Sequence, residues 1–123
     1  MQQKQAFSIL KRLESFRYAF NGLKILIREE HNARVHLVVA CCVIMAGLFF
    51  QISHHEWLAI ILSIGLVISA EAMNTAIENI ADFISPERNE SIKRIKDLAA
   101  AAVLICALTA VVVGLMVFLP YLV

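Results

Sequence analysis

Hydrophobic positions in this chain form three long blocks and one periodic stripe. Val35 to Ile52 is an almost unbroken apolar run of 18 residues. At a helical rise of about 1.5 Å per residue it nearly spans a hydrocarbon core. Ser53-His54-His55-Glu56 reads as a tight polar turn. A second uncharged run, Trp57 to Ala70, continues as a helical pattern to Ile84, which predicts one helix over 57–84 with an apolar first half and a striped second half. Ser85-Pro86 ends it, since proline disfavours the helical state before it and lacks an amide donor. Ser85 as cap and Pro86 as first helical residue predict a brief helix there, with 92–97 leading into the third run, 98–119. Pro120 and Tyr121 read as an interfacial tail. Upstream, Ile9, Leu13, Phe16, Phe20, Leu23 and Ile27 are spaced 4, 3, 4, 3, 4. On a helix they share an arc of about 80°, with Lys11, Glu14, Arg17, Lys24 and Arg28 opposite. The pattern predicts an amphipathic helix over about 5–29, bent at Asn21-Gly22 and lying in a membrane interface. A soluble helix docked on a partner and a coiled-coil stripe are the alternatives.

Composition sharpens this picture. Apolar residues are 60% of the 123-residue chain and charged residues 17%, with none at 57–70 or 98–123. A disordered chain is excluded, because such runs do not stay in water. The net charge of +1 leaves no basic excess for nucleic acid. Cys41, Cys42 and Cys106 all sit in apolar runs and read as small buried residues, without metal spacing or disulfide framework. Seven cations (Lys4, Lys11, Arg12, Arg17, Lys24, Arg28, Arg34) precede the first run, and Arg88, Lys93, Arg94 and Lys96 lie between the second and third. The positive-inside rule then puts the N terminus and that linker in the cytoplasm and the C terminus outside. The expectation is a single all-α membrane domain over 1–123, with a surface helix and three crossings at 35–52, 57–84 and 98–119.

Candidate chemistry lies at the charged ends. Glu71, Asn74, Glu78 and Asp82, spaced 3, 4 and 4, share an arc of about 80° on one helix face. Acidic groups at membrane depth face a bundle interior or a cavity, and a column of carboxylates raises its own proton affinity. A divalent cation removes that penalty, and carboxylates with phosphate oxygens suit Mg²⁺. Glu71, directly after fourteen uncharged residues, is placed to be a desolvated base for a hydroxyl, with Asn74 one turn away to orient it. Glu78 and Asp82 also read as solvated residues beyond the membrane. The cluster Glu29, Glu30, His31, Asn32, Arg34, His36 has two readings. It is a solvated helix boundary, or it brings Glu30 against the stripe to complete a metal site with Arg34 as charge partner. His31 and His36, five apart, make a poor zinc pair, and His54 and His55 read as turn residues. Lys93, Arg94, Lys96 and Asp97 are a positive flank, or Lys96 reaches phosphates and Asp97 addresses a nucleotide. No glycine-rich phosphate loop is present.

Three strings carry a resemblance. Glu71-Ala72-Met73-Asn74-Thr75-Ala76-Ile77-Glu78 resembles E-x-x-N-[ST]-A-I-E, with Asp82 following; Glu30-His31-Asn32-Ala33-Arg34-Val35-His36 resembles E-x-N-x-R-[IV]-H; Lys96-Asp97-Leu98-Ala99-Ala100-Ala101-Ala102-Val103 resembles K-D-x-x-[AS]-A-A-V. The chain thus resembles, from about Phe16 to Leu119, the small integral-membrane lipid kinases of bacteria, the diacylglycerol kinase / undecaprenol kinase family. The resemblance implies a homotrimer in the bacterial inner membrane, with a cytoplasmic active site partly between protomers. It implies ATP- and Mg²⁺-dependent phosphorylation of a membrane lipid alcohol. It makes Glu71 the general base supported by Asn74, and Glu30 and Glu78 the holders of the metal. Tyr18, Asp82, Lys96 and Asp97 become contacts to the nucleotide, and Lys11 a contact to the lipid head. Of the two alcohols, undecaprenol is placed ahead of diacylglycerol, on Asn32-x-Arg34-x-His36 and Ser85-Pro86-Glu87. A structural membrane subunit and a small ion or proton channel are the non-enzyme alternatives. Against the channel, polarity along 57–70 is limited to Ser63 and Ser69.

Overall fold

The computed structural model describes residues 6–123, which are entirely helical apart from short connections. Four helices follow in order: α1 (Ile9–Glu29), α2 (His31–Phe50), α3 (His54–Ile84) and α4 (Glu90–Leu122). The last three are long and apolar enough to cross a membrane. The sequence reading of three candidate spans in an all-helical chain holds.

Helix ends differ from expectation in ways that local chemistry explains. Residue 5, where α1 was expected to begin, and Lys4 lie outside the described residues. Ser8 caps α1, its hydroxyl accepting from the Lys11 amide at 3.5 Å. The helix runs unbroken through Asn21-Gly22. The turn between α2 and α3 falls at Gln51-Ile52 rather than at Ser53–Glu56. Gln51 adopts left-handed backbone, φ 51, and the Ile52 amide donates back to the Gly47 carbonyl at 3.2 Å. Ser53 is a cap: its hydroxyl accepts from the Glu56 amide at 3.3 Å, and the Glu56 carboxylate accepts from the Ser53 amide at 3.1 Å. Two orphan amides are thereby satisfied, and His54–Glu56 become the first turn of α3. The brief helix expected after Ser85 does not form. Asn89 is the cap instead, accepting from the Ile92 amide at 2.9 Å, so α4 starts at Glu90. At the other end α4 continues through Pro120, whose fixed φ suits a helix and which forfeits only its own amide bond.

Packing concentrates on α3, and its most extensive contact is with α4. Ile52, Ile60 and Val117 form a buried core near the α2–α3 turn, with Val43, Phe50, Trp57 and Phe118 around it. The α3–α4 pair is tied at both ends. Tyr121 Oη donates to Glu56 Oε1 at 2.7 Å, and Lys96 Nζ meets Asp82 Oδ1 at 2.6 Å. The second pair is largely exposed and adds little stability, so it registers the helices more than it holds them. Between α2, α3 and α4 lies an apolar groove of about 320 Å³, lined by Val39, Val43, Ile64, Ala107 and Gly114 and reaching His36 at one end.

Two further expectations change. Cys41 and Cys42 of α2 are exposed and Cys106 of α4 is half-buried. On α1 the residue that docks is Leu26, 4% exposed, roughly 100° around the helix from the Ile9–Ile27 stripe. The stripe residues themselves stay exposed.

Gly47 marks the tightest approach in the core. A Cβ there would sit 2.7 Å from the Trp57 ring. Gly47→Val should lower unfolding stability in detergent by about 1–3 kcal/mol, the usual range for overpacking. It should also shift the emission of Trp57, the single tryptophan, to the red. Unchanged emission and stability would show that this contact is absent.

Candidate active site

The polar stripe continues the packed face of α3. Ile60, Ser63 and Val67 are buried, and at the same helical spacing come Glu71, Asn74 and then Glu78. Glu71 is buried because it inherits the face that makes the core one turn earlier. It is 1% exposed, deeper than the apolar residues around it. Asn74 and Thr75 are also buried. Glu71 Oε1, Asn74 Oδ1 and Thr75 Oγ1 have no hydrogen-bond partner among the described residues. Each such orphan costs about 1–3 kcal/mol, so three together mark a place built for something other than stability.

Partners come from two other segments. His36 of α2 brings Nε2 to 3.1 Å from Glu71 Oε1, close enough for an ion pair though not aligned as a hydrogen bond. Further along α3, Asn74 Nδ2 donates to Glu78 Oε1 at 3.5 Å. Glu30 is the one extended residue between α1 and α2, φ −113 and ψ 115. Its amide closes α1 on the Leu26 carbonyl at 3.0 Å, and its carbonyl accepts the Arg34 amide at 3.3 Å to open α2. That break turns Glu30 towards α3. Burial pushes its carboxyl above the ordinary range, and the negative charges of Glu78, Glu71 and Glu29 push further, against a weaker opposite pull from His31.

Arg34 does not pair with Glu30 as expected. Its Nε donates to the Ile27 carbonyl at 2.6 Å, another guanidinium nitrogen donates to the Arg28 carbonyl, and Nη1 lies 3.3 Å from His31 Nδ1. The guanidinium closes the negative end of the α1 dipole and fixes the angle at which α1 leaves α2.

The remaining expected residues divide. Lys96 and Asp97 border a polar recess of about 610 Å³ with Arg88 and Lys93 at the start of α4. Lys96 holds Asp82, and Asp97 takes Lys93 at 2.9 Å. Tyr18 is exposed on α1, and Lys11 lies about 22 Å along that helix from Leu26 by helical rise. One chain therefore draws Glu30, Glu71, Asn74 and Glu78 together, with Asp82, Lys96 and Asp97 further towards α4, but not Tyr18 or Lys11. Two polar residues in the site have no role assigned from sequence: Thr75, and His36, which reads there as part of the boundary cluster and as a poor zinc partner for His31. The signal for His36 was a lone imidazole inside an apolar run, at a depth that matches Glu71.

Facing carboxylates that raise Glu30's proton affinity fit a hard divalent cation. Among the described residues no three His, Cys, Asp or Glu side chains converge on a metal. An ion that brings phosphate oxygens of its own, as Mg²⁺ with a nucleotide does, needs fewer protein carboxylates than that. The shift of Glu30 has a stability consequence. Its carboxyl protonates more easily folded than unfolded, so it favours the fold at low pH and opposes it once pH rises through the folded value. In chelator, Glu30→Gln should be more stable than wild type at about pH 7, and the gain should disappear near pH 4, where carboxyls are largely protonated. A Glu30→Gln protein that is less stable at neutral pH would contradict this placement of the carboxylate.

Comparison with known proteins bears on what the cluster does. Residues 17–118 match the family model "Prokaryotic diacylglycerol kinase". The undecaprenol kinase of Bacillus subtilis is 38% identical over 107 residues, covering 87% of this chain and 87% of that protein. A diacylglycerol kinase of Synechocystis is 35% identical over 109 residues, covering 88% of this chain and 62% of that protein. A diacylglycerol kinase of Haemophilus influenzae is 33% identical over 93 residues, with 76% and 79% covered. The matched span contains the whole acidic cluster, His36 and the Lys96-Asp97 pair. The chain belongs to the prokaryotic diacylglycerol kinase family, and it is a lipid kinase of a bacterial membrane.

Proposed function

We propose that this chain transfers the γ-phosphoryl group of MgATP to the primary hydroxyl of a membrane lipid alcohol, at the cytoplasmic edge of the inner membrane. The observation that carries the proposal is a buried, underpartnered Glu71 carboxylate in the same cluster as Glu30 and Glu78. Glu71 takes the proton from the lipid hydroxyl. The resulting oxygen forms its bond to the γ-phosphorus as the bond to the β-bridging oxygen breaks, and ADP leaves with that electron pair. Asn74 orients Glu78 on the same face, which keeps the second carboxylate beside the first. Glu30 and Glu78 are the residues that would hold Mg²⁺. Bound there, the ion supplies neutralisation of phosphate charge, the main need of a loose phosphoryl-transfer transition state. Lys96 neutralises phosphate charge from the α4 side. Asp82 and Asp97 address the nucleotide, and today's pairs Asp82–Lys96 and Lys93–Asp97 hold those side chains in register.

The lipid tail stays in the bilayer, so a chain of this size needs no enclosed acyl pocket. Placing hydroxyl and nucleotide at one membrane depth supplies proximity. The exposed apolar stripe of α1 suits an amphipathic helix riding in the interface, with the cationic side towards lipid headgroups. Tyr18 and Lys11 then act from a neighbouring protomer, Tyr18 on the nucleotide and Lys11 on the lipid head, in a homotrimer whose site is shared. Cation-rich segments around α1 and the α3–α4 linker favour a cytoplasmic N terminus and an outer C terminus. Undecaprenol is the preferred alcohol, supported by 38% identity to the undecaprenol kinase of Bacillus subtilis at matched length, with diacylglycerol the alternative.

Purified protein in lipid should move label from γ-labelled ATP to undecaprenol, and more slowly to diacylglycerol; the reverse ranking would overturn the substrate preference. Glu71→Gln should keep MgATP binding but lose turnover by 10²-fold or more, about what a positioned general base supplies. Normal turnover by that variant would remove Glu71 from its role.

A further inference from the structure

We propose that His36 is the positioning residue of the general base. Its Nε2, 3.1 Å from Oε1 of Glu71, becomes the donor to that oxygen on a small turn of the ring and leaves the second carboxylate oxygen to the lipid hydroxyl. The inference rests on the reading of Glu71 as base and adds a role for a residue on a different helix.

The geometry makes this arrangement specific. The Glu71 side chain is 2% exposed and that of His36 26%, so the pair joins a buried carboxylate to a ring that still reaches water. Glu71 has no hydrogen-bond partner for Oε1 on its own helix. Its acidic neighbour Glu30, between α1 and α2, faces it with like charge. Among the described ion pairs, His36 supplies the basic atom within 4 Å of Glu71. Without it, the described ion pairs give Glu71 no basic partner to fix the orientation of its carboxylate.

His36 is itself held. It is on the second turn of α2, two residues after Arg34, whose guanidinium clamps the α1 carbonyls and so fixes the start of α2. Below it Val39 and Val43 continue the same side of α2 into the apolar groove. A lipid tail or a neighbouring helix in that groove would keep the ring on Glu71 by exclusion. The imidazole therefore stands where the apolar groove meets the acidic cluster, the point at which a lipid alcohol changes from tail to hydroxyl.

A ring that only braces α2 against α3 and one that positions the base differ in what substitution does. Glutamine can set an amide donor where Nε2 stands, asparagine reaches only as far as Nδ1, and leucine has no donor. His36→Gln should stay within about threefold of wild-type kcat. His36→Asn and His36→Leu should lose about 10- to 100-fold in kcat, the scale of one donor to an ionised acceptor. KM for MgATP should stay within about twofold in all three. The assay uses full-length protein in lipid with MgATP and undecaprenol, and each variant's helical circular dichroism is compared with wild type. Equal losses in His36→Gln and His36→Leu, losses confined to KM, or wild-type kcat in His36→Leu would each overturn the inference. If His36→Leu fails to fold, the contrast between Gln and Asn decides it. Glu71→Gln is run beside them. An inactive Glu71→Gln with a fully active His36→Leu would sink the role of His36 and leave the base intact. An active Glu71→Gln would sink the base reading itself.

Discussion

Burying one ionisable carboxylate between apolar helices constrains everything else in this chain. Glu71 is less exposed than any of the core aliphatic residues except Ala33. A charge taken out of water is costly unless something compensates it, and among the described ion pairs the basic group beside Glu71 is the His36 imidazole from another helix. Such an arrangement is poor design for stability and sound design for a reaction. The site is pre-desolvated, its acceptors are unfilled, and its acidic neighbours await positive charge.

The fold serves that constraint with few parts. The α3–α4 pair is registered at one end by Tyr121 on Glu56 and at the other by Lys96 on Asp82, which carries the start of α4 to the acidic end of α3. α2 meets α3 at the turn core and again at His36, leaving the apolar groove between. Glu30, the one extended residue between α1 and α2, is the point where α1 departs, and Arg34 sets the angle there. Moving any of these by a helical turn would separate Glu30 from Glu71 and Glu78.

Much of the plan was legible in residue order. The three spans follow from apolar length, and the stripe Glu71–Asp82 follows from spacing alone. The resemblance pointed to Glu30, which the break between α1 and α2 delivers to α3. Local chemistry that competes at single residues was not legible. Gln51 took a left-handed conformation where no glycine or asparagine announced it, and Asn89 outcompeted Ser85-Pro86 as a cap because its carboxamide reached Ile92. Arg34 found α1 carbonyls rather than Glu30, a choice set by backbone direction. His36 shows the limit best. It is fifteen residues before Gln51 and Glu71 is eighteen after Ser53, roughly 22 and 27 Å from the same turn. Matching depth was available in the sequence, but the face of α2 that turns to α3 was not. Tyr18 and Lys11 remain apart from the cluster within one chain.

The account stands or falls on whether a nucleotide-bound cation sits between Glu30 and Glu78, beside Glu71. Manganese in place of magnesium, bound with a non-hydrolysable ATP analogue, broadens nearby nuclear resonances. The account predicts strong broadening of the His36 ring and Asn74 amide signals, its loss in Glu30→Gln with Glu78→Gln, and sharp His54 and His55 signals at the opposite end of α3. Sharp His36 and Asn74 signals at saturating manganese nucleotide would contradict it.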